Sequence, residues 1–154
     1  MHGGGHEQGL RSGTLPTHQI VGMGAAFAQA SAQMQSDNRQ IQALSQRLRE
    51  GLLALPGVSL NGCAEHRIPH TLNVCFDSPT FSMQAVAGRI AVSSTSACNS
   101  ASAAASHVLL ALGLSQAQAL SSLRVSLGRY STQADVDRAI AVINDALQAH
   151  APFW

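Results

Sequence analysis

The sequence predicts an α/β fold in which helices pack on one face of a small, mainly antiparallel sheet. Apolar residues recur every three or four positions over 20–52 and again near the C-terminus, which is typical of amphipathic helices. The stretches 71–76 and 123–127 instead alternate apolar and polar residues, which is typical of half-buried strands. At 154 residues the chain is one domain with room for a sizeable core.

Two helices are predicted before the first strand. Pro16 suits the first turn of a helix. That helix carries an apolar stripe of Ile20, Met23, Phe27, Ala30 and Met34. The second helix ends at Pro56-Gly57 and carries a stripe of Ile41, Leu44, Leu48 and Leu52. We interpret the two methionines as core-filling residues rather than as sulfur ligands.

The strands follow these helices. Val58 to Leu60 is predicted as a short strand, closed by the turn residues Asn61-Gly62. In the next strand Cys75 lies on the face opposite the apolar residues, and we interpret it as structural. Cys63, beside a turn, is interpreted as incidental. A short helix is predicted at 82–87 and a strand at 90–92.

Two helices are predicted in the last third of the chain. The first spans Val108 to Leu112 and is closed by Gly113. The second begins at Thr132-Gln133-Ala134-Asp135, which resembles a capping box with Asp in place of Glu. Its apolar stripe is Val136, Ile140, Ile143 and Leu147.

Composition excludes several classes of function. Charged residues make up 11% of the chain and the net charge is +1, so no basic stripe exists to hold nucleic acid. No apolar run approaches the ~20 residues of a membrane helix. The three cysteines have no C-x-x-C spacing, and their odd number favours reduced thiols and a cytoplasmic location. No metal site is expected, because no Cys or carboxylate cluster supports the pair His2 and His6.

A strip of small polar residues surrounds one thiol near the middle of the chain. Residues 93–102 are Ser, Thr, Ala and Asn around Cys98. Such residues favour exposed, mobile loops, where a thiol can meet another molecule. The alternative is a Ser/Ala linker that happens to hold a free cysteine.

Three strings point to a family. They are Val-Ser-Ser-Thr-Ser-Ala-Cys-Asn-Ser-Ala-Ser at 92–102, His-Gly-Gly-Gly-His-Glu running into Arg-Ser-Gly-Thr at 11–14, and Ser-Ser-Leu-Arg-Val-Ser-Leu-Gly-Arg-Tyr at 121–130. In a single alignment along the chain, the three strings resemble the C-terminal portion of the NifS/IscS-type cysteine desulfurases. These are class-V aminotransferase-like enzymes that depend on pyridoxal 5'-phosphate (PLP). The resemblance implies the small C-terminal domain of a fold-type-I PLP enzyme at 15–154, with 1–14 at the edge of the PLP-binding large domain.

The resemblance also implies site residues. Cys98 would be the catalytic nucleophile that carries a persulfide, and Arg124 would hold the substrate's α-carboxylate. Thr14 would reach the PLP phosphate of the partner subunit. The alternatives are a surface ion pair for Arg124 and a helix cap for Thr14. Thr95 and Asn99 depart from the family pattern, in which Gly and often Thr stand at these positions.

The implied reaction removes sulfur from L-cysteine to give L-alanine, with sulfur passed to an iron–sulfur scaffold or a sulfur-carrier protein. The enzyme would be a homodimer. The chain contains no lysine, whereas PLP enzymes hold their cofactor through a lysine amine. The alternative is therefore a non-catalytic small domain that accepts sulfur or binds partners. An apolar face that the large domain would cover is expected to promote self-association.

Overall fold

The computed structural model describes residues 3–78, 81, 83–94 and 104–149. The chain divides into two compact units, Met1–Ser36 and Asp37–Trp154. This division falls inside the first helix, α1 (Thr17–Leu53). The assignment of 1–14 to the edge of a PLP-binding domain stays a prediction. Within the described ranges, no helix is long and apolar enough to cross a membrane.

The first unit contains a short loop and the beginning of α1. His6 and Arg11 pair through their backbones, with N–O distances of 3.0 and 3.3 Å, around one 3-10 turn at Glu7–Gly9. The apolar residues of α1 in this unit are exposed: Ile20, Val21, Met23, Phe27 and Met34. The interpretation of Met23 and Met34 as core residues is therefore wrong, because helical spacing shows that residues share a face but not that the face is covered.

The two helices predicted before the first strand are one helix. α1 runs without interruption for 37 residues. The polar stretch between the two apolar stripes contains no Gly or Pro, so nothing in it stops the helical hydrogen bonding. The predicted stop is close to the observed end, since Gly57 follows with a φ of +72°.

The second unit contains the predicted antiparallel sheet. Its strands are β1 (Val58–Leu60), β2 (Thr71–Phe76) and β3 (Ser122–Ser126), in the order β1-β2-β3. Both neighbouring pairs are antiparallel. The register places Val74 beside both Leu60 and Leu123. This alignment gives the sheet one apolar face, as the alternation in β2 and β3 predicts.

Helices cover that apolar face. Leu48 and Leu52 of α1 are fully buried in one cluster with Leu72, Val74 and Leu123 of the sheet. The last helix, α4 (Gln133–Ala149), adds Val136, Val142, Ile143 and Ala146 to the same core. The predicted packing of helices on one sheet face is confirmed.

The other face of the sheet carries polar residues, and one short helix, α3 (Gln116–Leu120), lies against it at Cys75 and Ser122. The sequence did not predict α3, whereas α2 (His107–Ala111), which contacts α3, was predicted. The signal for α3 was present, because Ser115 and Gln118 form a capping box. Cys75 is buried under α3, with its Sγ 3.4 Å from the Gln118 carbonyl oxygen, as a structural residue would be.

The segments before the Cys98 loop are less regular than expected. The helix predicted at 82–87 is one 3-10 turn, Met83–Ala85, among the residues described there. The strand predicted at 90–92 is not formed; a single bridge joins Ser93 to Arg124 instead. A strand requires repeated pairing along its length, and apolar composition alone does not supply it.

Candidate functional site

Arg124 lies in the middle of β3, with its side chain exposed. Leu123 and Val125, on either side of it, are buried in the core, so the guanidinium lies on the opposite face of the sheet, as the alternation predicts. The Arg124 N–H donates to the Ser93 carbonyl at 2.7 Å, and the Ser93 N–H donates back to Arg124 at 3.1 Å. The segment that leads toward Cys98 is therefore attached to β3 at Arg124 itself.

The guanidinium of Arg124 has no carboxylate partner in the structure. All eight acidic residues of the chain lie within the described ranges. The ion pairs formed there are Arg47–Asp137, Arg89–Asp145 and Arg129–Asp37. Arg124 takes part in none of them. The alternative role for Arg124, a surface ion pair, is thus not found among the described residues.

A polar cluster lies beside Arg124 on the same face of the sheet. Asn73 of β2 is directly opposite Arg124 in the register. The Asn61 amide, which is buried, donates to Asn73 Oδ1 at 2.6 Å and to Ser122 Oγ at 3.2 Å. None of these three residues was predicted from the sequence to belong to the site. The signal was the same alternation that marked Arg124, since Asn73 and Ser122 occupy the polar positions of their strands.

The three cysteines have different environments. Cys98 lies outside the described residues, between Ser94 and Ala104, so its predicted role as nucleophile stays a prediction. Cys63 is exposed, and its Sγ accepts the His66 N–H at 3.3 Å. The backbone hydrogen bond from His66 lowers the pKa of the Cys63 thiol, and the backbone hydrogen bond from Glu65 lowers it by a smaller amount. Nothing in the described structure gives Cys63 a role.

Thr14 belongs to the first unit and is exposed. The first turn of α1 is capped from the backbone, with the Thr17 N–H bonded to Leu15 at 2.9 Å and the Gln19 N–H bonded to Pro16 at 2.9 Å. Within the described chain the Thr14 hydroxyl oxygen accepts no N–H from that turn, so the helix-cap alternative is not found. Nearby, Arg11 Nε is buried without a hydrogen-bond partner among the described residues. A free hydroxyl and an unpaired guanidinium nitrogen fit an anionic group such as the PLP phosphate.

A cavity of about 340 Å³ lies on the core side of the second unit. Val92, Val125 and Val136 are among its lining residues, and Arg138 and Asp135 also contribute. Arg124 does not line it. Among the described residues no group of three or more His, Cys, Asp or Glu side chains is placed to hold a metal ion.

Comparisons with known proteins agree with one another. The family model for class-V aminotransferases matches residues 4–139. The cysteine desulfurase IscS of Aeromonas salmonicida is 50% identical over the whole chain, which spans 39% of that relative's length. The structure of a NifS-like protein from Rickettsia africae covers 96% of the chain, and 39% of its own, at 27% identity and a TM-score of 0.81.

A further solved structure, titled SspA in complex with cysteine, is 36% identical and covers 86% of this chain and 36% of its own, at a TM-score of 0.59. The chain thus spans about two-fifths of the length of the curated relatives it matches. The family match and the architecture of helices on a small antiparallel sheet lead to the same conclusion. This chain belongs to the class-V aminotransferase family, and it is similar to NifS- and IscS-like members of that family.

Proposed function

We propose that the protein to which this chain belongs is a cysteine desulfurase, which takes sulfur from L-cysteine and leaves L-alanine. The observation that carries the proposal is the exposed guanidinium of Arg124, which has no carboxylate partner among the described residues. The name of the IscS relative and the cysteine bound to SspA support the same substrate. Bound PLP supplies the electron withdrawal that weakens bonds at the substrate's α-carbon.

Arg124 binds the α-carboxylate of the substrate in this proposal. A guanidinium matches a carboxylate through two parallel hydrogen bonds, which fix both its position and its orientation. Arg124 is suited to this role because its own backbone is bonded to Ser93 and the strand that carries it is paired with β2. A side chain that projects from a fixed strand orients its ligand better than one on a loop.

Cys98 is the proposed nucleophile. Its thiolate attacks the sulfur of the substrate, and a sulfur–sulfur bond forms as the bond between that sulfur and the substrate's β-carbon breaks. The electron pair of the broken bond stays with the amino acid, which takes up protons to become alanine. Cys98 is five residues after Ser93, and five extended residues span at most about 18 Å. The covalent chain therefore keeps the Cα atom of Cys98 within about 18 Å of that of Ser93, the residue to which Arg124 is bonded.

Thr14 is proposed to donate to the phosphate of PLP, with Arg11 as a second donor nearby. The Gly13 residue before it has a φ of +88°, a conformation that an L side chain rarely adopts. In this proposal Thr14 acts on the cofactor of a partner subunit, so the complete enzyme is a homodimer. Its proposed location is the cytoplasm. The persulfide sulfur then passes to an iron–sulfur scaffold or a sulfur carrier.

The test uses the full-length protein, with sulfide and alanine release from L-cysteine as the readout. Arg124→Lys is expected to raise KM for cysteine by at least roughly tenfold, because lysine lacks the planar fork. Cys98→Ser is expected to abolish persulfide formation. A Cys98→Ser enzyme that still transfers sulfur, or an Arg124→Lys enzyme with unchanged KM, contradicts the proposal. Cys63→Ser is the matched control, with activity expected to be unchanged.

A second function is favoured by one feature of the sequence: the chain has no lysine. In this alternative the chain accepts sulfur or binds partners without starting the reaction. Adding PLP and cysteine to the purified 154-residue chain tests it. Yellow protein-bound cofactor and sulfide release would exclude the alternative. A colourless chain that nonetheless gains one sulfur atom from a persulfide donor would support it.

A further inference from the structure

Asn73 and Arg124 face each other across two strands. They are partners in the register of β2 and β3. The backbone groups of Arg124 bond to Ser93, and the Asn73 carbonyl accepts the Asn61 N–H at 2.9 Å, so the backbones of the pair point away from each other. This is a non-hydrogen-bonded antiparallel pair, in which facing side chains come closest, with Cα atoms about 4.5 Å apart.

A chain of hydrogen bonds fixes which end of the Asn73 amide is occupied. Ser122 Oγ lies 2.7 Å from the Gln118 carbonyl oxygen, which only accepts, so the hydroxyl proton is directed there. The Ser122 oxygen can then only accept from the Asn61 amide, whose Nδ2 is therefore a donor. The same Nδ2 donates to Asn73 Oδ1. The Oδ1 end of Asn73 is thereby occupied.

The Nδ2 end of Asn73 is left without an acceptor in the described part of the chain. The buried members of this relay, Asn61 and Ser122, hold the amide in its orientation. Beside it lies a guanidinium that also lacks an acceptor. The Asn73 amide nitrogen and the Arg124 guanidinium are thus adjacent donors, and neither has an acceptor among the described residues. Together they are suited to bind an anionic, planar oxygen group.

We propose that Asn73 is a second substrate-binding residue, whose amide nitrogen donates to the same carboxylate that Arg124 binds. This inference rests on the proposed function. The neutral Asn73 amide beside the Arg124 guanidinium favours ligands that bear a carboxylate next to the amine. It also limits the angle at which that carboxylate can bind to the two guanidinium nitrogens. Asn73 thus contributes to selection of α-amino acids over simple amines.

The experiment compares variants of the full-length enzyme. Asn73→Ala removes the donor, and KM for L-cysteine is expected to rise roughly tenfold, the usual effect of losing a hydrogen bond to a charged group. Asn73→Asp keeps the acceptor that Asn61 needs but adds a negative charge beside Arg124, so a larger increase is expected. Thr71→Ala, on the same strand and face and paired with Ser126, is the matched control with unchanged KM.

A second ligand separates substrate binding from a structural role. Cysteamine has the thiol and amine of cysteine without the carboxylate, and its inhibition constant is expected to be the same in wild type and in both Asn73 variants. The inference would be overturned if the Asn73 variants had an unchanged KM for cysteine. It would also be overturned if they bound cysteine and cysteamine more weakly by the same factor. If Arg124→Lys raises KM but the Asn73 variants do not, this inference fails alone. If Arg124→Lys has no effect either, the proposed function fails with it.

Discussion

Gly51 in α1 lies directly against Ile140 in α4. A Cβ added to Gly51 would overlap the Cδ1 atom of Ile140 and would lie 3.1 Å from its Cγ1. About one turn earlier in each helix, Arg47 and Asp137 form a bidentate ion pair at 2.6 and 3.0 Å. The absence of a side chain at Gly51 therefore permits the close approach of the two helices.

Gly51→Ala is expected to destabilise the chain despite the better helix propensity of alanine. Overpacking costs about 1–3 kcal/mol, whereas replacing a helical glycine gains only about 1 kcal/mol. The free energy of unfolding in urea measures the net effect. Ile140→Val removes the overlapping methyl group, so the double variant is expected to recover most of the lost stability.

Gly24→Ala is the matched control for this prediction. Gly24 lies in the same helix, and an added Cβ there would have no neighbour within 4 Å. This variant is expected to be stabilised by up to about 1 kcal/mol. Equal effects of the two alanines on unfolding would contradict the assigned contact between Gly51 and Ile140.

The two apolar stripes of α1 are expected to differ in their contribution to stability. Leu48 is fully buried, whereas Phe27 is 71% exposed. Leu48→Ala is expected to lower the free energy of unfolding by about 2–5 kcal/mol through lost burial and a cavity. Phe27→Ala is expected to change it by no more than about 0.5 kcal/mol. Denaturant unfolding of both variants measures this, and a large effect of Phe27→Ala would show that its face is covered in solution.

The capping box that begins α4 is expected to make stability depend on acid pH. The Thr132 N–H and hydroxyl both donate to Asp135, at 2.8 and 2.7 Å. The hydrogen bond from the hydroxyl, and then the one from the N–H, contribute most to lowering the pKa of the Asp135 carboxyl. The unfolded chain keeps the ordinary value of about 4. The stabilisation is therefore complete above that value and is lost as the pH falls through the lower folded pKa.

Asp135→Asn is expected to remove the loss of stability that protonation of Asp135 causes at acid pH. The measurement compares the melting temperatures of the variant and the wild type near pH 3 and pH 7. Thr132→Ala removes the reciprocal cap and is expected to cost about 0.5–2 kcal/mol at neutral pH. Gln133→Ala, one position into the helix, is the control and should leave both quantities nearly unchanged. An Asp135→Asn chain with the wild-type acid profile would argue against the hydrogen bonds at this cap.

Ser93→Pro is expected to weaken the attachment of the Cys98-bearing segment to β3. Proline has no N–H, so the hydrogen bond from Ser93 to the Arg124 carbonyl cannot form. We expect a loss of about 1–3 kcal/mol in unfolding free energy. In the full-length enzyme, KM for cysteine should also rise. A Ser93→Pro enzyme whose unfolding free energy and KM are both unchanged would show that the backbone bridge has no such role.

The sequence alone predicted the elements whose pattern is local. Alternation at 71–76 and 123–127 gave the strands and placed Arg124 on the face away from the core. The capping residues gave the start of α4. The family strings pointed to the same relatives that the comparisons found. These features could be predicted because strand alternation, capping and motif spacing depend on residues that are neighbours in the chain.

Tertiary structure decided which of these local patterns are used. The stripe from Ile20 to Met34 and the stripe from Ile41 to Leu52 look alike in sequence, yet in the structure the large residues of the first are exposed and Ile41, Leu48 and Leu52 of the second are buried. Likewise, Asn73 became a neighbour of Arg124 only through strand pairing, and its free amide end follows from Asn61 and Ser122, which are distant in sequence. Burial and hydrogen-bond direction depend on which surfaces meet, and a one-dimensional pattern does not contain that information.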